Sequence, residues 1–137
     1  MKTKLLLTSS LIAGILHFFL GWLVYGILLM DTMKNYTNAS LYRTDNEMIF
    51  WSILVGSISF GVLLSYVLLK FDVKEAKSAM FSGGTIGLLM AAYMNFTSYG
   101  TALIYTNLTG VMIDVFAGTL LAAVIGFCVG LYIDKAK

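Results

Sequence analysis

Long apolar runs separated by short polar segments dominate this chain. The first runs from Leu5 to Met30 and carries one histidine, His17, near its middle. A bilayer core of about 30 Å is crossed by roughly 20 helical residues, and lipid offers no hydrogen bonds to an open backbone. Runs of this length therefore favour membrane-spanning helices over the strands of a barrel. We predict helices at about 5–30, 48–69, 73–105 and 111–133.

Local signals place the predicted helix boundaries. Thr44 precedes Glu47 by three residues, directly before the apolar MIFW segment, which is the spacing of a capping box. Asp72 and Glu75 repeat that spacing and predict that the third helix begins at Val73. The connection TNLTG after the third helix is short, so the third and fourth helices are predicted to be antiparallel neighbours.

Composition supports one membrane domain over residues 1–137. Hydrophobic residues make up 59% of the chain and charged residues only 12%, whereas soluble domains carry about 25% charged residues. This leaves too little polar surface to coat a water-soluble body. The chain has no proline, so none of the predicted helices is marked for a sharp break. The predicted fold is an all-α, antiparallel bundle of four transmembrane helices.

Basic residues are distributed unevenly between the termini, the second connection (residues 70–78, which includes the charged first turn of the predicted third helix) and the other two connections. The two termini and the second connection hold seven lysines, whereas the other two connections hold only Lys34 and Arg43. Because basic residues in short loops stay in the cytoplasm, both termini are predicted to be cytoplasmic. The formal net charge of +2 is too small and too dispersed to indicate nucleic acid as a partner. The seven lysines are Lys2, Lys4, Lys70, Lys74, Lys77, Lys135 and Lys137.

Reactive residues are scarce in this sequence. The single cysteine, Cys128, cannot form a disulfide within the chain, which excludes a thiol oxidoreductase that needs a cysteine pair. No group of cysteines and histidines has the spacing of zinc ligands. We therefore expect no metal, no cofactor and no enzymatic activity.

Beyond the charged first turn of the third helix, one histidine and one aspartate fall inside the predicted helices. His17 is predicted near the bilayer midplane, where an ionisable side chain is costly and usually has a partner. It could serve as a proton relay, a haem or metal ligand, or a quinone contact. We favour a neutral imidazole that is hydrogen-bonded to a Ser, Thr or Asn of another helix. Asp114 lies in the first turns of the fourth helix, where the helix dipole favours a carboxylate. It either serves structure there or lines a cavity open to the outside.

Further polar side chains are predicted at the depth of Asp114. Asn95 and Tyr99 are four residues apart on one face of the third helix. Tyr25 lies at a comparable depth on the first helix, on the face that also carries His17. We predict that Tyr25, Asn95, Tyr99 and Asp114 form a candidate polar pocket open to the outside. His17 is predicted to lie beneath this pocket.

Small residues recur every four positions in the third and fourth helices. Such rows let two helix backbones approach closely in lipid. We predict that they are helix-packing surfaces, either within the bundle or on the face of a homodimer. They comprise Gly83 and Gly87 in the third helix and Gly118, Ala122, Gly126 and Gly130 in the fourth.

The end of the first helix carries the pattern Gly-Trp-x-x-Tyr-Gly-x-x-Leu-x-Asp, and the fourth helix begins with Ile-Asp. With this helix layout, the chain resembles uncharacterised bacterial four-helix membrane proteins of the domain-of-unknown-function type. It departs from their pattern at Gly26, where those proteins often have a proline. The resemblance implies a bacterial cytoplasmic (inner) membrane and no known activity. The matching residues are Gly21, Trp22, Tyr25, Gly26, Leu29, Asp31, Ile113 and Asp114.

These observations favour a non-enzymatic integral membrane protein that acts through helix–helix association. Its partners would be the lipid bilayer and other membrane helices. The chain would be a small subunit or assembly partner of a membrane complex, or a homo-oligomer. The alternative is a small-solute or proton-coupled transporter or channel that uses His17 and the outer polar cluster. The sequence leaves both hypotheses open.

Overall fold

A computed structural model describes residues 3–73 and 75–136 of the chain. Within those ranges the chain is helical, without a strand, and one isolated bridge joins Thr37 to Tyr105. The prediction of an all-α fold is confirmed. Lys2, Lys74 and Lys137, which contribute to the predicted orientation, lie outside the described residues. The α-helices are α1 (Thr3–Leu23), α2 (Met30–Lys34), α3 (Phe50–Lys70), α4 (Ala76–Thr101) and α5 (Leu108–Lys135).

Three helical segments are long and apolar enough to cross a membrane, namely Thr3–Leu28, Phe50–Lys70 and Leu108–Lys135. This agrees with the prediction of a membrane protein. The helix α4 has 26 residues, but its last turns read NFTSYGT and are polar. That α4 spans the bilayer as a fourth transmembrane helix stays a prediction.

The predicted first helix changes its geometry before it ends. It is α-helical through Leu23, continues as a π-helix over Val24–Leu28, and is followed by α2. The Leu29 amide donates to the Val24 carbonyl, five residues earlier, at 2.8 Å. A π-helical turn takes up an extra residue and so rotates the side chains that follow it. No proline or charge marks this turn, which is why the sequence predicts an unbroken helix over 5–30.

The connection between α3 and α4 explains why α4 begins at Ala76 and not, as predicted, at Val73. Asp72 has a φ of 50°, in the left-handed region. The Val73 amide donates to the Leu68 carbonyl at 2.8 Å, which is the six-to-one bond of a Schellman motif. Asp72 therefore ends α3 at its C-terminus instead of starting α4.

The predicted capping box at Thr44 forms, but it starts a shorter element. The Glu47 carboxylate accepts hydrogen bonds from the Thr44 amide at 3.3 Å and from the Thr44 hydroxyl at 2.9 Å. These bonds close the 3-10 turn Asp45–Glu47. The helix α3 begins later, at Phe50.

Glycines bring α1 against α3. A Cβ atom placed on Gly61 would lie 2.6 Å from the Gly14 amide nitrogen, and one placed on Gly14 would lie 2.8 Å from the Ile58 Cα. Neither position has room for a side chain, because backbone atoms cannot rotate out of the way. The same interface continues to His17, which contacts Ser57. Residue numbers therefore rise along α1 as they fall along α3.

The predicted small-residue rows bring α4 against α5. A Cβ atom on Gly83 would lie 2.5 Å from the Ala122 carbonyl oxygen, and one on Gly87 would lie 3.0 Å from the Gly118 carbonyl oxygen. The row on α4 packs against the row on α5 of the same chain. Neither row is therefore free to form the homodimer face that was the alternative from the sequence. The contact continues at Gly126 and Gly130, which face Gly83 and Ala76.

The two helix pairs meet along α1 and α5 in one hydrophobic core. Leu16 and Leu20 of α1 pack against this core. Besides Ala13 in the middle of α1, its fully buried side chains are Leu64 and Leu68 of α3, Ala79 of α4, and Ile125, Val129 and Ile133 of α5. Those of α3, α4 and α5 lie in the halves of their helices that are nearer to the chain termini and to the α3–α4 connection.

Backbone hydrogen bonds join the two segments at the opposite end, residues 35–49 and 102–107, which we call the loop end. The Asn38 amide donates to the Ile104 carbonyl at 2.8 Å, and the Thr106 amide donates to the Tyr36 carbonyl at 2.9 Å. Because residues after Thr101 pair with the first loop, α4 stops there and does not continue to residue 105 as predicted.

Candidate functional site

Asp114 is the centre of a polar cluster at the loop end. It lies in the second turn of α5 and is half-buried. The Tyr25 hydroxyl donates to its Oδ1 at 2.5 Å, and the Tyr105 hydroxyl donates to its Oδ2. The carboxylate thus ties the π-helix after α1 to α5 and to the segment that follows α4.

Asn95 joins this cluster through Tyr105. The Tyr105 hydroxyl lies 2.9 Å from the Asn95 side-chain oxygen. A phenol has one proton to donate, and a carboxylate is the stronger acceptor, so we assign that proton to the bond with Asp114. The Asn95 oxygen is the second acceptor that faces this hydroxyl. Tyr105 is only 7% exposed, so its hydroxyl depends on these two partners.

The structure brings together three residues of the predicted pocket, Tyr25, Asn95 and Asp114. Tyr99 does not join them. Its side chain is 42% exposed, and no hydrogen bond links it to the cluster within residues 3–73 and 75–136. Tyr99 therefore belongs to the exposed surface of α4.

Tyr105 is the member of the cluster that the sequence prediction missed. A third helix predicted to run through residue 105 places this tyrosine at a helix end, away from Asp114. The available signal was the cap of α5: the Asn107 side-chain oxygen accepts from the Gly110 amide at 3.2 Å. An N-cap at this position requires the chain to leave α4 several residues earlier.

His17 lies apart from the Asp114 cluster. Its Nδ1 is 3.0 Å from the Ser57 Oγ, and its ring centroid is 4.6 Å from that of Phe60. A hydroxyl of another helix is the kind of partner that we favoured from the sequence. The face that His17 was predicted to share with Tyr25 is not found, because His17 faces α3 and Tyr25 faces α5. Eight residues of α-helix already leave an offset of about 80°, and the π-helix changes the direction of Tyr25 further.

The charge of Asp114 acts on the tyrosines of the adjoining loops. Burial raises the pKa of Tyr105, and the hydrogen bond to Asp114 and its charge raise that pKa further. Burial and the Asp114 charge also raise the pKa of Tyr42. Ionising either phenol would place a second negative charge beside the carboxylate, in surroundings that solvate it poorly. The cluster therefore holds its phenols in the protonated, hydrogen-bond-donating form.

We expect the Tyr105 phenol to stay protonated when the pH is raised through about 10, where a free tyrosine ionises. Because its pKa is raised in the folded state, its contribution to stability is complete below about pH 10 and is lost as the pH rises further. An ultraviolet phenolate titration of the wild type minus Tyr105→Phe, in mild detergent, isolates this single group. A phenolate step near pH 10 in the difference would contradict the buried cluster.

An apolar groove adjoins the cluster, between the π-helical end of α1 and α5. Its volume is about 340 Å³, and all ten residues that line it are aliphatic or aromatic. Val24 and Ile113 line the groove, and the two segments that carry them are also joined by the Tyr25–Asp114 hydrogen bond, so the carboxylate cluster adjoins the groove. Further lining residues are Leu20, Leu28, Ala117 and Leu121.

Comparison with protein-family models, with curated proteins and with solved structures finds no match to this chain. What the site can do therefore follows from its side chains. Within residues 3–73 and 75–136, no group of three or more His, Cys, Asp or Glu residues is placed to hold a metal ion. A carboxylate held by two phenols can clamp helices together or attract a cation.

Proposed function

We propose that the protein is a non-enzymatic integral membrane protein that works by associating with other membrane helices, as a small subunit of a membrane complex or as a homo-oligomer. In this proposal α1, α3, α4 and α5 form an antiparallel four-helix bundle. Both termini lie in the cytoplasm, and the loop end lies outside. The resemblance of the sequence to bacterial four-helix membrane proteins leads us to propose the bacterial cytoplasmic membrane as its location.

Three observations support the bundle and its orientation. Contacts run in opposite directions along α1 and α3, and again along α4 and α5. The two polar connections pair at one end of the molecule. Among the described basic residues, Lys34 and Arg43 lie at or beside the loop end, whereas the other four lie at the opposite end, namely Lys4, Lys70, Lys77 and Lys135.

The orientation predicts which cysteines can be labelled from outside the cell. In a Cys128→Ala background, we expect Ser40→Cys to react with a membrane-impermeant thiol reagent on intact cells. Ser78→Cys, at the start of α4, should react only after the membrane is opened. Labelling of Ser78→Cys alone on intact cells would reverse the proposed orientation.

The observation that carries the proposal of association is the exposure of the first turns of α3. All seven residues from Phe50 to Gly56 are exposed, so no side of the helix is covered there. Trp51 is 71% exposed, and a Cβ atom on Gly56 would meet no atom within 4 Å. An apolar stretch that includes an uncovered glycine suits close approach by another membrane helix.

The last turns of α4 offer a second uncovered surface at the same end. Tyr93 is 74% exposed, and Thr97 and Gly100 are exposed as well. Hydroxyl groups on the outer surface of a membrane helix favour a protein neighbour over lipid tails, because lipid tails cannot accept their hydrogen bonds. The uncovered parts of α3 and α4 are therefore the surfaces that we assign to association.

We expect Gly56→Ile to weaken association without unfolding the chain, because the new side chain enters open space. Native mass spectrometry in mild detergent, after extraction from the membrane in which the protein is expressed, measures the bound partners. Gly21→Ile is the matched control, since its Cβ also meets no atom within 4 Å but lies on α1. We expect the complex to fall about tenfold in Gly56→Ile and to persist in the control.

A wild-type protein that stays strictly monomeric and brings nothing with it from its own membrane would end this proposal.

We give transport a lower rank, because the two polar centres that it would use face different neighbours. His17 faces Ser57 of α3, and Asp114 faces Tyr25 and Tyr105.

A further inference from the structure

The Asp114 carboxylate lies among hydrogen-bond donors that carry no positive charge. Its two partners are phenols, which donate a proton but do not neutralise the carboxylate. Lys34 pairs with Asp31 at 2.9 Å, and within residues 3–73 and 75–136 no ion pair involves Asp114. Each carboxylate oxygen has two acceptor sites, and each phenol takes one of them. The described contacts therefore give the carboxylate no positively charged partner and leave it free acceptor sites.

The groove beside this carboxylate is open to the surroundings of the helices. Leu28 and Phe116, which line it on opposite sides, are 65% and 66% exposed. With the chain placed in a bilayer, a molecule could enter from the lipid and bury its apolar part between the π-helix and α5. The volume of about 340 Å³ is in the range of small-molecule sites in proteins.

Aromatic rings lie beside the carboxylate and in the groove wall. Tyr25 and Tyr105 contact the carboxylate directly, and Phe116 belongs to the groove wall. The face of an aromatic ring attracts organic cations, and the attraction increases where water is excluded. A fixed carboxylate, aromatic rings and an apolar groove are together complementary to one chemical class of ligand.

We propose that the groove and Asp114 form a binding site for a lipophilic organic cation. The apolar part of the ligand fills the groove between Val24 and Ala117, and its charged centre lies near the carboxylate. Charge complementarity selects this occupant: an anion would be repelled by Asp114, and a neutral lipid tail would gain nothing from it. The site lies between α1 and α5, so it is separate from the uncovered surfaces of α3 and α4 that are assigned to association.

Binding of tetraphenylphosphonium to the full chain in nanodiscs of uncharged lipid tests this proposal. Equilibrium dialysis against empty nanodiscs removes the contribution of partition into lipid. Tetraphenylborate has the same shape and the opposite charge, and it is the matched control ligand. We expect saturable binding of the cation at one site per chain and no saturable binding of the anion.

Two variants separate the roles of the charge and the groove. We expect Asp114→Asn to weaken binding of the cation about tenfold. Ala117→Phe fills the groove, leaves the carboxylate in place, and should abolish binding. Asp31→Asn, at an exposed aspartate that is paired with Lys34, should bind as the wild type does. Circular dichroism establishes that each variant is folded, and Ala117→Phe keeps the test valid if Asp114→Asn does not fold.

Equal binding of the cation and the anion would overturn the proposal, because the groove would then recognise only apolar shape. Unchanged binding in Asp114→Asn would overturn it as well. Binding that survives Ala117→Phe would place the cation elsewhere on the chain and would have the same consequence.

Discussion

Gly83→Leu is expected to cost about 3 kcal/mol or more of stability, because it forces α4 away from α5. Even the first side-chain atom would lie 2.5 Å from the Ala122 carbonyl oxygen and 3.0 Å from the Gly126 Cα. Both neighbours are backbone atoms of α5, so they can yield only if the helices separate. Unfolding of the purified protein in mixed micelles, followed by circular dichroism, measures the loss.

Gly21→Leu is the matched control for this experiment. It makes the same change in α1, at a glycine whose Cβ would meet no atom within 4 Å. Its free energy of unfolding should change by less than about 1 kcal/mol. The change should be stabilising, because leucine has a better helix propensity than glycine. If Gly83→Leu were as stable as this control, α4 and α5 would not be packed through their small residues.

Asp114→Leu is expected to destabilise the fold by about 2–4 kcal/mol, because it removes the acceptor of two phenols at once. The larger share should come from Tyr105, which is 7% exposed, since Tyr25 is 37% exposed and can reach another partner. Loss of the charge offsets part of this cost, because a partly desolvated carboxylate is itself unfavourable. The same micelle titration gives the value.

A double-mutant cycle with Tyr105→Phe attributes the loss to the cluster. If the phenol and the carboxylate act together, the double variant should lose clearly less than the sum of the two single variants. Asp31→Leu, at an exposed residue of α2, should leave stability near that of the wild type. Additive losses in the cycle would show that Tyr105 and Asp114 do not stabilise the fold through one another.

The apolar runs and their polar borders predicted the all-helical fold because helices of this length must be apolar in lipid. Glycine spacing likewise predicted that Gly83, Gly87 and Gly118 are packing positions. It could not tell whether the facing row belongs to the same chain. The facing row belongs to the same chain only if the small-residue faces of α4 and α5 point toward each other. That orientation is a property of the assembled structure.

The polar cluster was predicted only in part, because its geometry depends on two departures from regular helix. The π-helix at Val24–Leu28 turns Tyr25 toward α5, and the early end of α4 lets Tyr105 fold back onto Asp114. Depth along the helices predicted Tyr25 near Asp114, but helical periodicity could not place Tyr105, which lies beyond the end of α4. The assumption of constant rotation per residue wrongly aligned His17 with Tyr25.

Capping signals predicted the presence of caps better than their role. The Thr44–Glu47 pair forms its bonds but closes a 3-10 turn. Asp72 was assigned to the start of α4, yet its left-handed backbone ends α3. An aspartate is compatible with both positions, and the choice between them depends on where the preceding helix stops packing.

The central claim is that the uncovered parts of α3 and α4 are bound by other membrane helices. Photo-cross-linking in the native membrane tests it most directly, with a photoreactive amino acid placed at position 56 or 97 and, as the control, at the exposed position 7 of α1, outside these surfaces. We expect protein adducts from positions 56 and 97 and none from position 7. Adducts with lipid alone at positions 56 and 97 would contradict the claim.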